Sequence, residues 1–278
     1  MSSQVLLVDC EDRPGLVHAV TGVLFKYGVN VVGNQEFVER GAARFFMRTE
    51  FDGAVKATQL EPEIRRALPP QARVRLSDLK PKRIVVLASK EHHCLGDILI
   101  RHAFGDLNAK VLGVFSNHAV LESLAKRFEV PFHCINHEAL TREAHEAKLL
   151  KEIEVLKPDY VVLAKYMRVL TPEFVRRFPS RIVNIHHSFL PAFVGARPYQ
   201  QAYDRGVKVI GATAHFVTEK LDEGPIVVQQ VIPVNHTYTA QELSRAGRDV
   251  EQMVLARALR LIFEDRVFLC GNRTVIFE

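Results

Sequence analysis

Residues 4–10 alternate enough to read as a strand, and the spacing then becomes helical, with Leu16, Val20, Val23 and Leu24 on one face. The intervening Glu11-Asp12-Arg13-Pro14-Gly15 reads as a turn in which Asp12 caps the helix and Pro14 lies in its first turn; Tyr27-Gly28 ends it. Two strands are expected over 30–39 and 42–51, joined by a tight turn at Arg40-Gly41. A helix over 56–67 stops before Pro69-Pro70, and a strand over 72–76 completes the set. The order β-α-β-β-α-β is the ferredoxin-like arrangement.

After the polar hinge Asp78-Leu79-Lys80-Pro81-Lys82, short apolar runs alternate with helix-length segments. Strands are expected over 83–88, 110–115, 131–134, 160–164 and 181–185, with helices over 94–103, 119–128, 142–156 and 172–178. This alternation predicts a doubly wound, mostly parallel sheet. Beyond Pro191, a helix over 199–203 precedes β-rich stretches over 207–217 and 226–234, which can add antiparallel pairing. A long helix over 240–263 and a strand over 274–277 close the chain. The expected organisation is an α+β domain over 1–80 followed by an α/β domain over 83–278.

Composition narrows the function classes. A length of 278 residues suffices for two domains with real cores, and 47% hydrophobic with 25% charged residues excludes disordered and fibrous chains. The 37 basic and 32 acidic residues are interspersed, so the net charge of +5 lacks the clustered basic face that nucleic acid requires. Cys10, Cys94, Cys134 and Cys270 are far apart, with no Cys-x-x-Cys pair, and read as free thiols in a reducing compartment. The start, Met1-Ser2-Ser3-Gln4-Val5-Leu6, has no charged leader with an apolar core, and no apolar run reaches membrane-spanning length. The cytoplasm is the expected location, without membrane partners.

The densest chemistry lies over 181–226. A short buried strand over 181–185 leads toward Pro191, and extended backbone through Ser188 would put Asn184, His186 and Ser188 on one face, with His187 pointing the opposite way. Ligands of open parallel sheets bind at such a carboxyl edge. Each polar residue alone is equally a solvated or capping group; their clustering favours a site. His92-His93-Cys94, in the first strand-helix loop, lacks the spaced partners of a metal set, so no metal ligand is assigned and the loop is read as bordering a cleft.

Asn184-x-His186-x-Ser188 with Leu190-Pro191, the run from Gly211 to His215-Phe216-Val217, and Leu221-Asp222-x-Gly224-Pro225 resemble the catalytic segments of the folate-dependent formyltransferase fold. Leu163-Ala164-Lys165-Tyr166-Met167-Arg168-Val169-Leu170-Thr171-Pro172, the continuation through Ala192-Phe193, Gly195-Ala196-Arg197-Pro198-Tyr199 and Ala246-Gly247-Arg248-Asp249 narrow that resemblance. The leading Asp12-Arg13-Pro14-Gly15-Leu16 through Gly28-Val29-Asn30-Val31 is similar to an ACT domain. Together these segments resemble the formyltetrahydrofolate deformylase family over essentially the whole chain.

That resemblance implies hydrolysis of 10-formyltetrahydrofolate to tetrahydrofolate and formate, with the folate as substrate and no prosthetic group. The formate would supply purine synthesis and the reaction would balance one-carbon pools. Asn184 would donate to the developing oxyanion, His186 would shuttle the proton, and Asp222 would orient water and support the imidazole. Met167, Arg168, Val169 and Leu170 would form part of a pterin pocket, with Ser188, His215 and Val217 completing the substrate contacts. Gly28 and Asn30 are the candidate effector positions, for glycine or methionine; the module serves either sensing or assembly, and a homo-oligomer is expected.

Two other readings compete. Transfer of the formyl group to a ribonucleotide amine would call for a glycine-rich phosphate cradle at the first strand-helix turn, whereas that turn is Ser89-Lys90-Glu91-His92-His93-Cys94-Leu95-Gly96, with Glu91 repelling phosphate. A formyltransferase acting on transfer RNA would carry further basic surface. A folate- or amino-acid-binding regulator without turnover would not require Asn184, His186 and Asp222 together.

Overall fold

The computed structural model describes residues 3–191 and 198–278; Ala192, Phe193, Gly195, Ala196 and Arg197 of the family segments lie outside the described residues. Two compact units are present, Met1–Lys80 with Leu261–Cys270 and Thr274–Glu278, and Pro81–Arg260 with Gly271–Arg273.

The first unit contains β1 (Ser3–Glu11), α1 (Leu16–Lys26), β2 (Asn30–Glu39), β3 (Arg44–Asp52), α2 (Ala57–Ala67) and β4 (Arg73–Ser77). The sheet order is β2-β3-β1-β4, antiparallel throughout. Its core joins Leu6, Val8, Val20, Leu24, Met47 and Ile64. Asp12 does not cap α1. Gly15 turns the chain at φ +88, Ala19 N–H closes on its carbonyl at 2.9 Å, and the helix starts at Leu16, with Gly15 at the cap position three residues past Asp12. The Asp12 N–H instead donates to Ala43 O at 2.9 Å.

The second unit runs β5 (Lys82–Ala88), α3 (His93–Phe104), β6 (Ala109–Ser116), α4 (Glu122–Arg127), β7 (Phe132–Cys134), α5 (Arg142–Leu156), β8 (Tyr160–Leu163), α6 (Pro172–Arg177), β9 (Ile182–His186), α7 (Pro198–Arg205), β10 (Val209–Phe216), β11 (Ile226–Pro233) and most of α8 (Ala240–Phe263). Its sheet has the order β11-β10-β9-β8-β5-β6-β7. The strands β5 to β9 pair in parallel, whereas β10 is antiparallel to β9 and β11 to β10. Helices cover both faces of a parallel sheet, which is why Ile84 to Ala88 and Val161 to Leu163 are apolar without alternation and buried throughout. Phe174, Leu149 and Ile153 pack against Val85, Leu87 and Val161. Thr171 caps α6 by accepting from Phe174 N–H at 3.3 Å, and its own N–H is held by buried Glu146 Oε1 at 3.0 Å. This anchors the end of the stretch after β8 that lines the cavity described below.

The C-terminal hairpin, β12 (Val267–Cys270) and β13 (Arg273–Ile276), departs from expectation in two ways. Its first strand escaped the sequence pattern. Moreover, 261–270 and 274–278 pack with the first unit rather than with the rest of 83–278. The cause is Asp265, whose side chain is 1% exposed: it accepts from Ser77 Oγ at 2.5 Å and pairs with Arg75 at 2.7 Å. Arg48 Nε donates to the Asp265 carbonyl at 3.2 Å, and Phe46 meets Phe268 edge to face at 5.6 Å. No helix among the described residues is long and apolar enough to cross a membrane, and all four cysteines are free.

Removing the Asp265 carboxylate leaves Ser77 and Arg75 without their shared acceptor. Asp265→Ala is expected to cost the first unit about 2–4 kcal/mol in urea unfolding, and a change within error would mean that the hairpin is held by its apolar contacts alone.

Candidate active site

The carboxyl end of β9 brings Asn184 and His186 to the edge of the sheet. Antiparallel pairing sets His215 of β10 opposite Asn184, and Thr213 opposite His186. Asp222 arrives from the β10–β11 loop. Phe216 N–H donates to Pro225 O at 2.9 Å to close that loop, and a Cβ at Gly224 would run into the Phe216 carbonyl, so a glycine is required for so tight a return. Asp222 itself sits at φ +55, a left-handed backbone that a non-glycine residue adopts only when its surroundings hold it there.

The hydrogen bonds define the proton positions. His215 Nδ1 lies 2.9 Å from the Phe216 carbonyl, which only accepts, so Nδ1 carries the proton and Nε2 of the neutral ring offers a lone pair. Asn184 Nδ2 donates to that lone pair at 3.2 Å, leaving its other amide hydrogen for a ligand. Asp222 Oδ1 lies 3.3 Å from His186 Nδ1 and 3.6 Å from His215 Nε2. The Asp222 contact fixes the His186 proton on Nδ1, and the buried His186 Nε2 has no hydrogen-bond partner among the described residues. Burial by itself would raise the Asp222 carboxyl, but the hydrogen bond from His186 Nδ1–H, with the His215 ring close beside it, outweighs burial and holds it well below the usual carboxylate range.

A cavity of about 380 Å³, within the range of small-molecule sites, opens on these groups. Met167, Arg168, Val169 and Leu170 form one wall, with Met167 and Val169 presenting exposed apolar surface, and Val217 and His215 contribute to the other. Met167 N–H donates to Ser89 Oγ at 3.0 Å, which ties this wall to the end of β5. Of the expected site residues, Asn184, His186, Asp222, Met167, Arg168, Val169, Leu170, His215 and Val217 all line the one cavity. Ser188 does not. The strand ends at His186, so period-two alternation no longer applies, and Ser188 is buried with its carbonyl accepting from Thr213 Oγ1 at 2.9 Å.

The same strand end overturns the expected divergence of His187. Its ring stacks on that of His186, with centroids 4.9 Å apart and planes at 13°, and it lines the cavity. Tyr166 was also missed: it is buried in the cavity wall, its hydroxyl lacks a hydrogen-bond partner among the described residues, and burial pushes its phenol upward. Only its place beside Met167 in the sequence pointed to it. Gly28 and Asn30 belong to the first unit, at the end of α1 and the start of β2, both exposed; Gly28 has φ +64 with open space around its α-carbon. His93, Cys94 and Glu251 place three ligating atoms within 4.8 Å of one another, but Lys165 Nζ already lies 3.1 Å from the same carboxylate and burial raises the Cys94 thiol above its ordinary range.

A doubly wound sheet with an Asn, His and Asp group at its carboxyl edge, preceded by a ferredoxin-like module, defines a class. Residues 82–259 match the formyl transferase family and residues 4–68 the ACT domain. The chain is 52% identical over 276 residues, 99% of each chain, to formyltetrahydrofolate deformylase of Escherichia coli (strain K12). The crystal structure of a formyltetrahydrofolate deformylase from Pseudomonas syringae pv. tomato superposes with a TM-score of 0.95 at 37% identity, covering 99% of this chain and 94% of that one. Glycinamide ribonucleotide transformylase 1 from Symbiobacterium toebii shares the fold over 71% of this chain and 95% of its own, with a TM-score of 0.68 and 36% identity. The chain belongs to the formyltetrahydrofolate deformylase family, whose members are hydrolases.

The folded pKa of Asp222 lies below its unfolded value of about 3.9. As pH falls the unfolded chain therefore takes up this proton first. The stabilisation is fully present above about pH 4 and is lost as pH drops through the lower folded value. Asp222→Asn is thus expected to lower the urea midpoint at neutral pH, by a gap that narrows in acid; a gap independent of pH would remove the ionic basis of the contact.

Proposed function

We propose that the chain hydrolyses 10-formyltetrahydrofolate to tetrahydrofolate and formate at Asn184, His186 and Asp222. The observation that carries this reading is the His186 ring, bound through Nδ1 to Asp222 at 3.3 Å, with a buried Nε2 that has no partner among the described residues, in the cavity that Asn184 also lines. In this mechanism His186 Nε2 takes a proton from water as the oxygen attacks the formyl carbon. The carbonyl becomes an oxyanion, to which the Asn184 amide donates. Asp222 stabilises the imidazolium until His186 returns the proton to the folate nitrogen, the C–N bond breaks, and formate leaves. Water supplies hydroxyl to carbon and hydrogen to nitrogen, so the step balances without a prosthetic group. Met167 to Leu170 and Val217 would cover the pterin faces, while backbone groups read its edge. The formate produced would feed purine synthesis and the reaction would balance one-carbon pools. The free cysteines fit a reducing cytoplasm as its location.

Incubation of the purified chain with 10-formyltetrahydrofolate alone is expected to release formate. His186→Ala and Asp222→Asn should lower kcat by about 10²–10⁴-fold, and Asn184→Ala by about 10²–10³-fold, with circular dichroism unchanged. Turnover at the parental rate in these folded variants overturns the assigned roles.

The module over 1–80 is the regulatory element in this reading, with glycine or methionine bound at Gly28 and Asn30. Support comes from the left-handed Gly28 with open space beside it, where backbone amides can meet a ligand carboxylate. The edge strand β2 exposes Val31, Val32 and Phe37, which favours pairing with a second copy. Sedimentation equilibrium and formate release, each with and without the two amino acids, test both points. A concentration-independent monomer rejects the pairing, and unchanged rates with no binding reject the effector role.

A further inference from the structure

The strand order of the second unit reverses direction between β5 and β8, because the chain leaves β5 toward β6 and leaves β8 toward β9. In an open parallel sheet the crevice at the carboxyl ends of two such strands is where ligands ordinarily bind. Here it holds a set of charged side chains instead. His93, the first residue of α3 after β5, approaches Glu251 Oε2 through Nε2 at 2.7 Å. Lys165, just beyond β8, reaches the same oxygen at 3.1 Å. Tyr199 of α7 donates to Glu251 Oε1 at 2.6 Å. The side chains of Glu251, His93 and Lys165 are 1%, 5% and 8% exposed.

Both Glu251 oxygens are engaged within this cluster, while buried His93 Nδ1 has no hydrogen-bond partner among the described residues and lies 3.6 Å from Glu91 Oε2. Burial would raise the Glu251 carboxyl, yet its contacts with His93, Lys165 and Tyr199 hold it down to about 2, so the carboxylate and the lysine form a closed charge pair. The backbone is shaped to admit it. Lys165 sits at φ +62, its carbonyl accepting from Ser89 N–H at 3.2 Å, and Gly247 of α8 leaves the space that the Tyr199 ring fills. Lys165 also lines the cavity that contains Asn184, His186 and Asp222. The filled crevice and the open cavity are therefore neighbours on one sheet edge, with Lys165 as their common wall.

Formyl transfer to an amine requires a second substrate whose nitrogen reaches the formyl carbon while the rest of the molecule is anchored nearby. Water needs no anchorage. We infer that Lys165, Glu251, His93 and Tyr199 occupy the place an amine acceptor would take, and so determine that the formyl group passes to water; this rests on the deformylation reading above. The exclusion is steric and electrostatic. A phosphate-bearing amine would have to displace a buried ion pair and bring its anion against Glu251 and Glu91.

The test supplies the full-length protein with 10-formyltetrahydrofolate, with and without glycinamide ribonucleotide as the amine, and measures formate and formylated amine by mass spectrometry. The unaltered protein is expected to give formate alone, at a rate and KM that the amine does not change. In the paired variant Lys165→Gly with Glu251→Ala, which leaves neither buried charge alone and suits glycine to the left-handed backbone, formylated amine should rise relative to formate by roughly tenfold or more. A folded variant with the parental product ratio overturns the inference. Formylation of the amine, or competitive inhibition by it, in the unaltered protein does so as well, without requiring any variant to fold. Absence of formate from the unaltered protein without amine overturns the deformylation reading itself, and this inference with it.

Discussion

The Asp222 carboxylate lies between two imidazoles, 3.3 Å from His186 and 3.6 Å from His215, and the arrangement of the site depends on that placement. A half-buried carboxylate is costly unless its lone pairs are used, and His186 Nδ1–H serves that purpose. In return it fixes the His186 proton on Nδ1, which leaves Nε2 with its lone pair. His215 is fixed independently by the Phe216 carbonyl, and through its Nε2 it orients the Asn184 amide. One carboxylate and one backbone carbonyl thus set the donor and acceptor roles of three side chains that line the cavity.

This geometry needs the mixed sheet. Parallel β8 and β9 carry their ends to the same edge, but only an antiparallel β10 sets His215 across from Asn184 and then turns back over the site with Asp222. The return is tight enough to need Gly224 against the Phe216 carbonyl and a left-handed backbone at Asp222. Backbone strain of this kind persists where the surrounding packing over-determines it, and such positions concentrate at functional sites.

Two neighbouring stretches of one sheet edge are handled in opposite ways. Around His186 and Tyr166, buried polar atoms lack partners among the described residues. Around Glu251 both carboxylate oxygens are engaged and the charge is balanced within the protein. Lys165 belongs to both stretches. The first unit uses a similar buried carboxylate for a different purpose: Asp265 gathers Ser77 and Arg75, and so builds this unit from both ends of the chain.

The element order, the antiparallel module ahead of a parallel sheet, and the grouping of Asn184 with His186 were legible in the sequence because they follow from local periodicity and from spacing of two residues. The same local rules misplaced the α1 cap, since a left-handed Gly15 moved the helix start beyond Asp12. They also misjudged Ser188 and His187, since alternation holds only while the strand lasts and β9 stops at His186. What tertiary structure alone decided is the company each charge keeps. Glu251 meets His93 across 158 residues of chain, and Asp265 meets Ser77 across 188. No periodicity reaches so far: these contacts are set by which helices and strands pack together, and burial then makes pairing obligatory.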